Sequence, residues 1–194
     1  MPSYGQSRIE EGPFLRPTWS RGQSTEGVTI DAAGIEIGGR FHHLESDLEW
    51  SLELGYGRST QSLSVPGITA TITDHYFQLP WLNLRYYIPN DWDSIHPFVS
   101  ATMGATLLQR NFDVRGLVNG SGSLDNAYLL SFGLGAGVTY NITKKITIEA
   151  GYRYLWHSEL DFNPFNDLES LDSFSPLKNY PNTGIVTIGL SFSF

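Results

Sequence analysis

The chain has 194 residues, of which 40% are hydrophobic, 13% aromatic and 16% charged, and its net charge is -8. This acidic balance, without any basic run, argues against nucleic acid as a partner, because nucleic-acid binders usually carry a basic face. The absence of cysteine excludes disulfides, thiol chemistry and cysteine-bound metals, and no stretch approaches the roughly 18 apolar residues of a membrane helix.

The first predicted strand is the weakest. It is placed near residues 8–19, inside an N-terminal segment of residues 1–27, and it contains Pro13 and Pro17. A central strand rejects proline, because proline cannot donate a hydrogen bond to the ladder. The strand is still needed, since a closed barrel with both chain ends on one side has an even number of strands.

Further strands are predicted from the alternation of apolar and polar residues, which gives a strand one apolar and one polar face. In residues 48–57 the large apolar side chains occupy even positions, while Glu49, Glu53, a serine and two glycines occupy odd positions. No helical period competes with this pattern. The predicted strands lie near residues 28–42, 47–59, 70–88, 95–112, 126–141, 146–161 and 183–194.

The connections between these strands alternate in length. Short polar turns are predicted at residues 44–47, 89–94 and 141–145, and longer segments rich in Gly, Ser, Asn, Asp and Pro at 59–67, 116–126 and 163–182. Short turns at one end and long loops at the other are the layout of outer-membrane barrels. We therefore predict that residues 1–194 form one all-β domain, a closed antiparallel up-and-down transmembrane β-barrel of about eight strands.

The two faces of the strands separate a membrane barrel from a soluble one. A soluble barrel packs its large apolar residues inward, but here the opposite face is mainly Gly, Ser and Thr and could hardly fill a ligand-binding core. The apolar face carries aromatics such as Tyr140 and Trp156 towards the strand ends, as at membrane interfaces. We expect this face to contact lipid. The alternative is a soluble lipocalin-like carrier of small ligands, which needs the phase of every strand reversed.

Three segments resemble the small OmpA-like and opacity-type outer-membrane barrels. Residues 84–104 are similar to their fourth-to-fifth strand hairpin and residues 133–154 to their sixth-to-seventh; the last strand, with Phe192 and the final Phe194, resembles their terminal assembly signal. The resemblance covers roughly residues 28–194. It implies the bacterial outer membrane as the location, and membrane lipid and the barrel assembly machinery as partners. It does not extend to the peptidoglycan-binding domain of full OmpA-type proteins, so their cell-wall tether is not carried over.

The polar face predicts a network of charges inside the barrel. A barrel of about eight strands is just wide enough for its own side chains, so acids and guanidiniums there should pair with one another. We expect a packed polar plug in which Arg85 and Arg153 bridge two or more of the glutamates. The alternative is a gate that exchanges ion-pair partners, which makes a narrow pore for ions or small solutes. The predicted network, which Asn83 adjoins, consists of Glu36, Arg40, Glu49, Glu53, Arg85, Glu149 and Arg153.

Two clusters raise the question of an enzyme: His157-Ser158-Glu159 and Asp74-His75, each at the loop end of a predicted strand. A serine hydrolase needs a nucleophile, a base and an orienting group that converge, whereas neighbours on a strand point to opposite faces. We therefore predict no catalytic residues and no enzymatic activity.

Metals and cofactors are not expected either. His42 and His43 are neighbours on a predicted strand and point opposite ways. The acids of the last long loop follow no calcium-binding spacing; they are Asp161, Asp167, Glu169 and Asp172.

The predicted function is that of a structural or surface-interaction protein whose loops carry its specificity. The long surface loop 163–182 is unusually apolar for a solvated loop, which indicates packing on the barrel rim or on an envelope or surface protein. The segment Met1 to Ser7 has neither the positive region nor the apolar region of an export signal. We therefore expect this sequence to be a mature or recombinant form.

Overall fold

A computed structural model describes residues 11–43, 46–92, 94–117, 119–123, 126–160 and 182–194 of the chain. These residues are almost entirely strands, and each strand pairs antiparallel with its neighbours. No helix among them has the length and hydropathy to cross a membrane. The strands are β1 Gly12–Ser24, β2 Thr29–His43, β3 Ser46–Val65, β4 Ile68–Tyr87, β5 Ile95–Gly116, β6 Gly120–Ser123, β7 Ala127–Asn141, β8 Ile146–Leu160 and β9 Thr183–Ser193.

Eight of these strands close into a ring, in the order β1-β2-β3-β4-β5-β7-β8-β9 with β9 pairing back to β1. The short strand β6 pairs only with the far end of β5. The predicted closed up-and-down barrel is therefore confirmed. One end, here called the turn side, carries both described chain ends and the connections 88–94 and 142–145. The opposite end is called the loop side.

The first strand lies four to five residues later than predicted, at Gly12–Ser24 instead of 8–19, and it contains both prolines. The backbone N–H of Phe194 donates to the carbonyl of Pro13 at 3.1 Å, so Pro13 faces β9. Pro17, four residues on, faces the same neighbour. Pairing with β9 is interrupted between Leu15 and Thr18, because Pro17 has no N–H to donate to the ladder there.

The predicted long loop at residues 59–67 is wrong, because β3 continues to Val65 and β4 begins at Ile68. A tight turn joins them, and Gly67 adopts a φ of 84°, which a side chain would disfavour. Ser62 and Thr71 face each other across the hairpin at 3.3 Å between their hydroxyl oxygens. The hairpin therefore extends well beyond the ring on the loop side. Most of the predicted loop 163–182 lies outside the described residues.

A bulge in β4 changes which side chains reach the lumen. Between Gln78 and Leu82 this strand has one more residue than the facing stretch of β5. An extra residue inverts the alternation. Even positions such as Asp74 therefore face the lumen above the bulge, whereas odd positions such as Trp81 and Arg85 face it below.

The outer surface of the ring is apolar and the inner surface is polar, in the predicted phase. Leu54 is 56% exposed and Leu134 is 60% exposed, while Ser51 and Thr139 on the same strands are fully buried. A water-soluble barrel would show the reverse arrangement. The exposed apolar belt is the arrangement of a barrel that crosses a lipid bilayer.

Candidate functional site: the barrel lumen

Arg16 is the centre of the polar lumen on the turn side. Its Nη1 atom lies 2.8 Å from Glu36 Oε2, 2.9 Å from Glu49 Oε1 and 3.3 Å from Glu149 Oε2. The side chain is 0% exposed. Because these four residues come from β1, β2, β3 and β8, one guanidinium joins strands on both sides of the ring.

Arg85, from β4, makes a second crossing over the same carboxylates. Its Nη2 atom lies 3.0 Å from Glu36 Oε1 and 3.1 Å from Glu149 Oε1, and its Nη1 atom contacts Glu49. Glu49 also accepts a hydrogen bond of 3.0 Å from the hydroxyl of Tyr87. The predicted bridging role of Arg85 therefore corresponds to contacts with three glutamates.

Arg40 fixes the edge of this cluster nearest the chain ends. Its Nε atom donates to Glu49 Oε2 at 2.6 Å, and its terminal nitrogens donate to Ser191 and Ser193 of β9 at 2.9 and 3.1 Å. The ring of Phe14 lies under this guanidinium, at 4.8 Å from its Cζ atom. Aromatic faces attract cations, so Phe14 stabilises the position of the arginine while filling apolar space.

A second cluster lies one layer further from the turn side. Arg153 Nη1 is 3.0 Å from Glu53 Oε2 and 3.1 Å from Asn83 Oδ1. Asn83 in turn donates to Glu53 at 3.1 Å, and Thr102 donates to Asn83. Glutamates and arginines thus remain balanced in this layer, with an amide and a hydroxyl completing the hydrogen bonds.

Arg16 is the member of the network that sequence reasoning missed. The predicted set holds three arginines against four glutamates, and Arg16 supplies the fourth positive charge. Two signals could have found it: this imbalance, and the alternation of Phe14, Arg16 and Thr18 with Leu15, Pro17 and Trp19. The prolines hid that alternation.

Trp81 separates the lumen into two halves. Its indole is 1% exposed and packs with Leu155 and Ile185, and its Nε1 atom donates to the carbonyl of Ala105 at 2.9 Å. Gly104 leaves the space for the ring, since a Cβ atom there would lie 2.1 Å from Trp81 Cδ1. We call the lumen on either side of this layer the turn half and the loop half.

The loop half contains a cavity of about 100 Å³. Its wall includes an ion pair in which Arg110 Nε and Nη2 donate to the two oxygens of Asp74 at 2.6 and 2.7 Å. Sequence reasoning did not place this pair in the lumen, because the bulge in β4 reverses the phase between Trp81 and Asp74.

Comparison with known proteins gives the same architecture. Residues 4–194 match the family described as outer membrane protein beta-barrel domain. The chain belongs to this family. A search of curated proteins finds no significant match.

Solved structures of outer-membrane barrels match almost the whole chain. Neisserial surface protein A is 17% identical, with a TM-score of 0.51 over 94% of this chain and 96% of that one. Ail, the attachment invasion locus protein of Yersinia pestis, is 14% identical over 95% and 97% of the two chains, with a TM-score of 0.45. The outer membrane enzyme PagL is 12% identical over 92% and 99%, with a TM-score of 0.48. At this level of identity the likeness to Neisserial surface protein A shows the fold of this family member and nothing finer.

The two clusters considered for catalysis diverge in this barrel. His157 points into the lumen, with its Nδ1 atom 2.7 Å from Ser131 Oγ, while Ser158 is exposed on the opposite face. Ser131 is 0% exposed, so a substrate cannot reach its hydroxyl. Asp74 faces the lumen, whereas His75 faces outward and its Nδ1 atom lies 2.6 Å from the hydroxyl of Tyr56.

The remaining predicted positions are placed as follows. Phe194 is 72% exposed at the turn side and Phe192 lies half-buried on the lipid-facing side of β9. The side chains of His42 and His43, and the acids of the last long loop, lie outside the described residues. Within the part of the chain that the structure describes, no three His, Asp or Glu residues come together as a metal site.

Proposed function

We propose that this barrel is a non-catalytic structural or surface-interaction protein of the bacterial outer membrane, with a lumen that conducts no solutes. The observation that carries the proposal is the crossing of the lumen by Arg16 and Arg85, which contact the same three glutamates, Glu36, Glu49 and Glu149. A barrel of about eight strands has room for little beyond such side chains.

The charge balance supports a closed lumen. Four arginines face four glutamates in the turn half, and all eight side chains are buried. Opening a path for ions requires separating these pairs in a region without bulk water, which costs several kcal/mol for each uncompensated charge. A stable plug is thus favoured over a gate that opens by thermal fluctuation.

The surface role rests on the loop side. The β3–β4 hairpin and the end of β5 with β6 extend beyond the ring and present Ser and Thr side chains outward. In this proposal the loop side is extracellular, the turn side is periplasmic and the apolar belt contacts membrane lipid. Phe192 and Phe194 then serve as the signal read by the barrel assembly machinery, and residues 163–182 are the segment for an envelope or surface protein partner.

Single-channel recording in a planar bilayer tests the closed lumen. Folding is checked beforehand by the heat-dependent gel mobility of the barrel. We expect no conductance steps from the folded protein. Discrete steps, growing when Arg85 or Arg153 is changed to Ala, would instead identify the gated pore that is the rival function.

A further inference from the structure

We propose that the loop half of the lumen binds a small uncharged amphiphile: a single aromatic ring or a short alkyl chain with one hydrogen-bonding group. This site goes beyond the proposed function, in which the closed lumen depends on the turn half and the surface role on the outside of the loop side. The cavity measures about 100 Å³. This is about two thirds of the roughly 150 Å³ of an engineered apolar cavity that holds benzene, so the space limits the apolar part of the ligand to one small ring or a short chain.

The floor of the cavity is apolar, and its one side-chain N–H, that of Trp81, already has a hydrogen-bond acceptor within the protein. Trp81, Leu155 and Ile185 are all buried there, and Leu108 and Leu129 continue the apolar surface along the wall. The indole N–H of Trp81 already donates to a backbone carbonyl. The floor therefore offers a flat ring and aliphatic carbon to whatever enters, which favours an apolar group at the deepest point.

The wall above the floor supplies a few polar groups, and its carboxylates and guanidinium are the paired Asp74 and Arg110 and the solvent-exposed Glu26 at the loop-side rim. Asp74 and Arg110 neutralise each other through their two hydrogen bonds. Gln78 and Tyr76 bring an amide and a phenol to the same cavity. Below that rim a charged ligand would lose its hydration without gaining a counter-charge, whereas one hydroxyl or amide could be matched. Mostly apolar lining with a few polar groups is the usual composition of a small-molecule site.

An apolar strip leads from the loop side into this cavity. Leu63, Ile72 and Phe112 continue the inward phase of the strands that line it, and they are 70%, 38% and 36% exposed. The opposite face of the same hairpin carries the Ser62 and Thr71 pair. Apolar side chains exposed on the inner face alone mark a path for an apolar ligand, since a solvated hairpin has no need of them.

Quenching of Trp81 fluorescence by 4-bromophenol in lipid nanodiscs tests the proposal. Bromine quenches an indole on contact, and the probe has one ring and one hydroxyl. The matched variants are Ala32→Phe, which fills the cavity, and Ala33→Phe, which adds the same ring to the outer face of the same strand. The background for all measurements replaces Trp19, Trp50, Trp92 and Trp156 by Phe.

We expect quenching of Trp81 that saturates with 4-bromophenol, survives Ala33→Phe and is lost in Ala32→Phe. Quenching that rises linearly and is equal in both variants would mean that the probe only dissolves in the bilayer, and it would overturn the site. Absence of quenching would overturn it as well. If Ala32→Phe does not fold, Leu129→Phe adds less volume at the same cavity and is expected to weaken the saturable quenching.

Discussion

The two halves of the lumen are enclosed by the same eight strands but are filled in different ways. Strand β3 shows the change directly: its inward positions are Glu49, Ser51 and Glu53 in the turn half, and Gly55 and Gly57 in the loop half. Long charged side chains cross the lumen and close it. Gly57 leaves space that forms part of the cavity, while the space beside Gly55 is occupied by the side chain of Gln78.

In a barrel of this width, the charge and the volume of the inward side chains together determine whether a part of the lumen is closed or open. In the turn half each arginine must meet an acid, because neither can reach bulk water. In the loop half the Arg110 side chain is 21% exposed, so water can solvate its charge if the pairing with Asp74 is lost. Substitutions should accordingly be costly in the turn half and mild in the loop half.

The largest expected effect is that of Arg16→Met. The change leaves Glu36, Glu49 and Glu149 short of one buried cation, and breaking such a pair costs about 3–5 kcal/mol. Urea unfolding of the barrel in lipid vesicles measures the loss. Arg21→Met on the same strand is the control, because Arg21 is 64% exposed and should change stability by less than about 1 kcal/mol. Equal effects of the two changes would contradict the account.

Gly104→Leu should have the next largest effect, since the new side chain displaces the Trp81 ring that divides the halves. Overpacking of this kind costs about 1–3 kcal/mol, and the Trp81 emission should shift to the red as the indole meets water. Ala101→Leu, on the exposed face of the same strand, should change neither quantity. An unshifted spectrum for Gly104→Leu would mean that the layer does not depend on this glycine.

Asp74→Asn should cost about 1–3 kcal/mol, less than Arg16→Met, because Asp74 is buried but its partner Arg110 is 21% exposed and can be solvated once the ion pair is lost. The new amide keeps the shape of the side chain, and Arg110 turns towards water. Urea unfolding under the same conditions gives the comparison with Arg16→Met. A loss as large as that of Arg16→Met would show that the loop half is as dry as the turn half.

Ser62→Ala should have the smallest effect, below about 0.5 kcal/mol. The hydroxyl lies on the exposed face of the hairpin beyond the ring, and its contact with Thr71 is 3.3 Å long. Amide hydrogen exchange should also be faster at Ser62 than at Ser51, which lies within the turn half. Similar protection at both positions would place the hairpin inside the cooperative core.

Strict alternation made the barrel predictable, together with most of its charged lumen. In β7, β8 and β9 most alternate residues are large and apolar, so the faces of Glu149 and Arg153 follow from period two alone. The same logic located Glu49 and Glu53 on β3. Contacts between these charges then follow from the narrow width of the ring, because each side chain has few partners within reach.

Three features escaped prediction, each for a local reason. Prolines obscured the strand that carries Arg16, although the missing donor of Pro17 interrupts its pairing with β9 and leaves its pairing with β2 continuous. The β4 bulge moved Asp74 into the lumen; Pro80, which lies within the bulge, was the sequence signal for it, because proline inside a sheet favours a bulge or an edge. The hairpin around Ser62 and Thr71 resembled a loop because its outward face is polar, as expected for strands that leave the bilayer.

Single-cysteine accessibility is the most direct test of a lumen that is closed on one side of Trp81 and open on the other. The chain has no cysteine of its own, so Ser51→Cys reports on the turn half and Gln78→Cys on the cavity. With iodoacetamide, a small uncharged thiol reagent, added to folded barrels in vesicles, we expect Gln78→Cys to react and Ser51→Cys to remain unmodified. Reaction of Ser51→Cys as fast as Gln78→Cys would show a continuous aqueous path and contradict the plug.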